Sequence, residues 1–240
     1  MIFIDEVNRT AMKPLDPSRY SRIVFFTGAG MSAESGVPTY RGKGGLWKSY
    51  DYGEYACSKA FERDPEKVLR FHEIRRRAVL DCHPHEGHTT IAAIPRASIV
   101  TQNIDGMHQR AGSRGVIELH GSLWRLRCSR CGTVCEDLGS DYRSLHCECG
   151  CWLRPDIVWF GDMLDEAVMR RASSVIATCD LFISIGTSGS VWPAAGFPML
   201  AHDSGAYCIE INPEPSGASS YDLSICGEAG KVLPRMFKTH

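Results

Sequence analysis

Two cysteine pairs, Cys128-x-x-Cys131 and Cys147-x-Cys149, flank fifteen residues near the middle of this 240-residue chain. Four thiolates at that spacing can close a tetrahedral zinc site with sulfur at about 2.3 Å and no open position, so such a metal would hold a fold together rather than do catalysis. The second pair is tighter than the usual C-x-x-C, and His146 and Cys151 lie beside it as competing donors. Chemistry is then to be sought in three other groups. Gly28-Ala29-Gly30-Met31-Ser32-Ala33 fits G-x-G-x-x-A, in which glycines let backbone N–H groups approach a pyrophosphate. Alone, that string is equally a tight turn packed on a helix. The acidic residue that a dinucleotide fold wants about 20 positions on is offered only by Asp51 or Glu54. Gln102-Asn103-Ile104-Asp105 supplies amides and a carboxylate, and His120 precedes Gly121. An imidazole ionises near neutral pH and so suits a general base, although a histidine before a glycine is more commonly a turn or core residue.

These groups need a scaffold, and the apolar runs provide one. Ile23-Val24-Phe25-Phe26 ends in Thr27-Gly28-Ala29-Gly30, as a strand buried on both faces would when it delivers its end into a ligand loop. Ala97-Ser98-Ile99-Val100, Leu181-Phe182-Ile183-Ser184-Ile185 and Ala206-Tyr207-Cys208-Ile209-Glu210-Ile211 likewise stop at Thr101-Gln102-Asn103, Gly186-Thr187-Ser188 and Asn212-Pro213-Glu214. Helical segments at 65–80, 165–178 and 193–203 lie between the runs. The alternation predicts an α/β fold, a Rossmann-like parallel sheet covered on both sides, with the polar strand ends gathered at one crevice. Residues 123–152 interrupt the alternation and predict a small zinc-binding insert.

Composition narrows the class. With 43% hydrophobic and 23% charged residues the chain is an ordinary globular protein, and its formal net charge of -1 offers no broad footprint for nucleic acid or an anionic membrane. Arg125, Arg127 and Arg130 form only a short local basic run. Eleven cysteines, an odd number spread over a long chain, fit a reducing compartment better than a disulfide scaffold. The acidic N-terminus and the lack of an apolar run of about 20 residues argue against a secretory signal or a membrane helix, so the expected location is cytoplasmic.

The glycine string continues unbroken through Glu34-Ser35-Gly36-Val37-Pro38-Thr39-Tyr40-Arg41-Gly42. Taken with Thr101-Gln102-Asn103-Ile104-Asp105, His120-Gly121, the four cysteines, Arg154-Pro155-Asp156-Ile157-Val158-Trp159-Phe160-Gly161 and Gly186-Thr187-Ser188, it resembles the sirtuins, NAD-dependent protein-lysine deacylases, over residues 22–237 and in the same order. The resemblance implies a large Rossmann-like unit (about 20–122 and 153–240) and a small zinc unit (123–152, with a helical part at about 43–85), between which NAD and an acyl-lysine protein or peptide meet. It implies cofactor contacts from Gly28, Ala29, Gly30, Glu34, Tyr40, Arg41, Trp47, Gln102, Asn103, Ile104, Asp105, Gly186, Thr187, Ser188, Asn212, Glu214 and Ala229. It makes His120 the catalytic base, helped by Asn103 and Asp105. In that reaction the acyl oxygen attacks the ribose carbon bearing nicotinamide, and the histidine then deprotonates the ribose diol. Free lysine, nicotinamide and O-acyl-ADP-ribose result. Cys149-Gly150 before Leu153-Arg154-Pro155 aligns Cys149 as the last metal ligand after Cys128, Cys131 and Cys147, leaving Cys135 and Cys151 spare.

The resemblance also frames acyl preference. His72 and Arg75, three apart on the predicted helix, face the same way. A sirtuin subgroup that removes succinyl and malonyl groups holds the acyl carboxylate with a tyrosine and an arginine so arranged. Here histidine replaces the tyrosine, yet it can also donate a hydrogen bond, and an arginine fork binds a carboxylate in bidentate fashion. The competing reading makes Arg75-Arg76-Arg77 the solvated end of a helix, where cations suit the dipole. Ala56 leaves room beside that pocket, and Val158, Phe160 and Gly161 match a strand and loop that pair with an extended substrate. The chain is expected to act as a monomer. Rival activities are protein mono-ADP-ribosyl transfer, and NAD sensing without catalysis.

Overall fold

The computed structural model describes residues 2–4, 14–39 and 49–237, so Tyr40, Arg41 and Trp47 lie outside the described residues. Its strands are β1 (Ile2–Ile4), β2 (Ile23–Thr27), β3 (Ser98–Thr101), β4 (Ile117–Glu118), β5 (Gly121–Cys128), β6 (Val134–Glu136), β7 (Leu153–Ile157), β8 (Leu181–Ile185), β9 (Tyr207–Asn212) and β10 (Leu223–Cys226). Its helices are α1 (Ala29–Ala33), α2 (Tyr52–Tyr55), α3 (Ser58–Arg63), α4 (Pro65–Leu80), α5 (Glu86–Ala93), α6 (Met107–Arg110), α7 (Glu166–Ile176), α8 (Phe197–Asp203) and α9 (Ala229–Met236). Strands β2 and β8 are buried at every position, as unbroken apolar runs require. They lie at the centre of a sheet ordered β1-β10-β9-β8-β2-β3-β4 whose pairings are all parallel. Side chains alternate across it. Ile23, Phe25 and Ile183 pack with Leu233 and Met236 of α9 on one face, while Val24, Phe26 and Phe182 pack with Ile176 of α7 and Phe197 on the other. The order reverses at β2, which has β3 on one side and β8 on the other, so the crevice opens where Gly28, Gln102 and Gly186 follow their strands.

A second sheet, β6-β5-β7, is antiparallel and carries the cysteine segment. A third core joins it to the helices before β3, with Ala56, Phe61, Val68 and Leu69 against Leu123, Leu126 and Trp159. Helix α4 begins where Asp64 accepts the Lys67 N–H at 3.0 Å and Pro65 fills the first turn, a position that needs no N–H. Strand β5 hides from hydropathy because Arg125 and Arg127 alternate with Leu126 and Cys128. Those arginines are spent within the chain, Arg125 on Glu118 (2.6 Å) and Asp156 (3.0 Å), Arg127 on Asp156 (2.7 Å). The competing picture of residues 75–77 as a solvated helix end is corrected: Arg76 is fully buried, and only Arg77 is exposed. Among the described residues, no helix is long and apolar enough to cross a membrane.

Candidate active site

Strand β4 pairs with β3, and Leu119 N–H continues that pairing by donating to the Thr101 carbonyl. The next residue, His120, is thereby brought against the Gln102 carbonyl, to which its Nδ1 donates at 2.9 Å. A carbonyl can only accept, so the neutral ring carries its hydrogen on Nδ1 and keeps the Nε2 lone pair as a base. Burial lowers the pKa of this imidazole, only partly offset by the Gln102 bond. Gly121 is the pivot. With φ +77° it sits so close to β7 that a Cβ there would collide with the Asp156 carbonyl oxygen, which explains a glycine after the histidine.

Asn103 and Asp105 are buried beside that turn. The Asn103 amide nitrogen donates to the Gly28 carbonyl (2.9 Å) and the Ser32 hydroxyl (3.2 Å), tying the two loops together. Asp105 accepts the Met107 N–H at 2.8 Å, and burial pushes its carboxyl up. Ile104 is core. Gly28 and Gly30 have a packing role that the motif does not reveal: a Cβ on either would come within 2.7 and 2.6 Å of the Gly186 backbone. Glu34 faces α9, accepting the Gly230 N–H at 2.9 Å one residue beyond the buried Ala229. Asn212 donates to the Thr187 carbonyl at 2.9 Å, Thr187 meets Ser184, and Ser188 and Glu214 are exposed beside them. These amides, hydroxyls and carboxylates, gathered at parallel strand ends, fit the polar edges of a dinucleotide. Asp51 and Glu54 belong elsewhere: Asp51 caps α2, and Glu54 pairs with Arg63 and Lys67 at 2.7 Å each.

His72 is fully buried, its ring stacked on Trp159 at 6.0 Å, with Nε2 accepting the indole N–H at 3.3 Å. Its hydrogen therefore sits on Nδ1, which faces the Tyr55 carbonyl without closing a hydrogen bond. Burial and the nearby Arg75 and Arg154 charges hold its pKa well below the ordinary value, so the ring is neutral. Arg75 lies one turn on, with its guanidinium 6.0 Å from the Phe71 ring. The Ala56 carbonyl accepts the Phe160 N–H at 3.1 Å, so the α2 end and the segment holding Val158, Phe160 and Gly161 share one wall.

The four cysteines are brought together, with all four sulfurs within 4.8 Å of one another. Cys131 and Cys147 are 3.7 Å apart, Cys128 and Cys149 3.5 Å. Tetrahedral thiolates on zinc at about 2.3 Å would be about 3.8 Å apart, so the set fits that ion. Cys151 lies near the Arg130 guanidinium instead, and the His146 ring packs at a tilt on Trp152, 4.2 Å between centres.

Residues 28–193 match the model of the Sir2 family. The chain is 47% identical over 220 residues to NAD-dependent protein deacylase 2 of Pyrobaculum aerophilum, covering 89% of this chain and 88% of the relative. It is 43% identical over 233 residues to NAD-dependent protein deacylase 1 of Pseudomonas aeruginosa, covering 90% and 93%. The crystal structure of a Sir2 homolog–NAD complex superposes with a TM-score of 0.87 at 38% identity, over 99% of this chain and 95% of the other. With a family model matching most of its length and deacylase relatives 43% to 47% identical over nearly the whole of both chains, this chain belongs to the Sir2 family.

Proposed function

We propose that this protein removes acyl groups from protein lysines in an NAD-dependent reaction, with His120 as general base. The observation that carries the reading is the Nδ1 bond from His120 to the Gln102 carbonyl, which leaves Nε2 basic at the mouth of a crevice floored by Asn103 and Asp105. Bound NAD would supply a ribose carbon carrying nicotinamide as its leaving group. Asn103 holds the glycine loop to the Gln102 turn, and Gly28 to Gly30, Thr187, Ser188, Asn212 and Glu214 line the remainder of the dinucleotide path. The large unit comprises about 20–122 and 153–240, and 123–152 with the helices of 43–85 form the small one. The test is mass spectrometry of one lysine peptide, acetylated or succinylated, incubated with and without NAD. NAD-dependent loss of the acyl group is expected. NAD consumption with the acyl group retained would instead indicate ADP-ribosyl transfer.

The base works deprotonated, and burial lowers its pKa from 6.5. Activity is therefore lost only as pH falls through that lowered value: kcat/KM should stay flat down to about 6.5 and decline below it. A decline already complete above that pH would exclude His120 as the titrating group.

The acyl chains held best are those ending in a carboxylate, anchored by Arg75 with the His72 Nδ1–H as a second, uncharged donor. The support is that Arg75 stands one turn after His72 on α4, and the uncharged His72 ring packs on Trp159, in the segment that holds Val158 and Phe160. Arg75→Ala should lower kcat/KM for the succinyl peptide by about 10- to 100-fold, the worth of a charge-assisted bond, and leave the acetyl peptide within a fewfold. Equal losses for both peptides would refute the anchor.

A further inference from the structure

Beneath the crevice floor lies a row of three histidines that the reaction does not use. His85 donates through Nε2 to the Met31 carbonyl at 2.7 Å and accepts the Gly87 N–H at 3.0 Å. Its ring centre is 4.3 Å from that of His88, which is 5.1 Å from His108. His88 and His108 are both buried, and neither nitrogen of His88, nor Nδ1 of His108, meets a hydrogen-bond partner among the described residues. Burying such groups without a partner costs free energy. His108 has one use: its Nε2 lies 3.0 Å from the Thr27 hydroxyl. Thr27 in turn donates at 2.8 Å to the Thr101 hydroxyl, which also accepts the Asn103 N–H at 3.0 Å. Thr27 has a single hydrogen, already given to Thr101, so His108 donates from Nε2.

We propose that His108 is a positioning residue, which through the Thr27 and Thr101 hydroxyls fixes the ends of β2 and β3 and with them the Gln102–Asn103 turn. This inference rests on the functional reading above. That turn carries both the carbonyl that orients His120 and the amide that ties down the glycine loop, so a shift in it reaches the base and the cofactor pocket together. Burial lowers the pKa of His108 to about 4 and that of His88 to about 2, so these two rings remain uncharged at working pH. A neutral donor with a fixed tautomer gives the chain one direction, which a solvated side chain would not.

The test is a double-mutant cycle in the full-length protein. His108→Leu and Thr27→Val should each lower kcat of acyl removal about 10-fold, with peptide KM within about twofold. The double variant should be no worse than either alone, because both interrupt one chain. His108→Gln places an amide N–H near the lost Nε2–H and should recover activity to within about threefold. Losses that multiply, or a glutamine variant as poor as leucine, would overturn the proposal, since a packing role alone predicts both. A readout free of turnover is the backbone amide resonance of Asn103. It should move alike in His108→Leu and Thr27→Val and return in His108→Gln. An unmoved Asn103 signal would overturn the inference even if the protein deacylates normally, whereas a moving signal in an inactive wild type would refute only the activity.

Discussion

Replacing His120 by alanine should lower kcat/KM for acyl removal by about 100- to 10,000-fold, the usual worth of a positioned acid–base group. The fold should survive, because the ring contributes one hydrogen bond to a backbone carbonyl and is only partly buried. Losing such a bond costs about 1 kcal/mol. The expected defect has a further signature. On the proposed reading the base would act on the ribose diol only after nicotinamide has left, so exchange of labelled nicotinamide into NAD in the presence of acyl peptide should persist while product lysine is lost. Measuring both in one variant separates the steps. If exchange fell with deacylation, His120 would be acting in cofactor binding, and the catalytic assignment would move to another group at the crevice. Persistence of full turnover would leave the crevice without its base.

That residue also shows what could be read from the chain before folding. His120 and Gly121 stand out as a motif, and the apolar runs of β2 and β8 announce strands buried on both faces. The acceptor that fixes the imidazole could not be foreseen, since it is a backbone carbonyl eighteen positions earlier, brought close only by the parallel pairing of β3 and β4. Strands β4 and β10, at two and four residues, are too short for a periodic signal. The packing of Gly28 and Gly30 on Gly186 is equally silent in the sequence, because it joins two strand ends more than 150 residues apart. The histidine row shares this origin: His85 and His88 flank the start of α5, and His108 arrives from α6.

Arg76 is the residue whose environment departs furthest from its local pattern, and it sets the largest stability effect. It lies in a run of three arginines, yet its guanidinium is fully buried between the Tyr142 ring at 4.4 Å and the Trp124 ring at 5.4 Å. Asp137 supplies both a carboxylate oxygen and its carbonyl to Arg76 Nη2 at 2.5 Å, and the Gly139 carbonyl accepts from Nε at 2.8 Å. Asp137→Ala removes the countercharge and leaves a buried guanidinium held only by carbonyls, which should cost about 3–5 kcal/mol in urea unfolding. The next arginine offers a control. Arg77 pairs with Asp141, but both side chains are more than half exposed, so water replaces the partner and Asp141→Ala should leave the unfolding midpoint nearly unmoved. Equal effects from the two substitutions would show that burial of Arg76 does not govern the pair. The loss should also reach the crevice, since Trp124 stacks on Arg76 and donates its indole N–H to the Asp105 carbonyl at 2.7 Å. In Asp137→Ala at a temperature where the protein is still folded, NAD affinity should therefore weaken, whereas Asp141→Ala should bind NAD as the unaltered chain does.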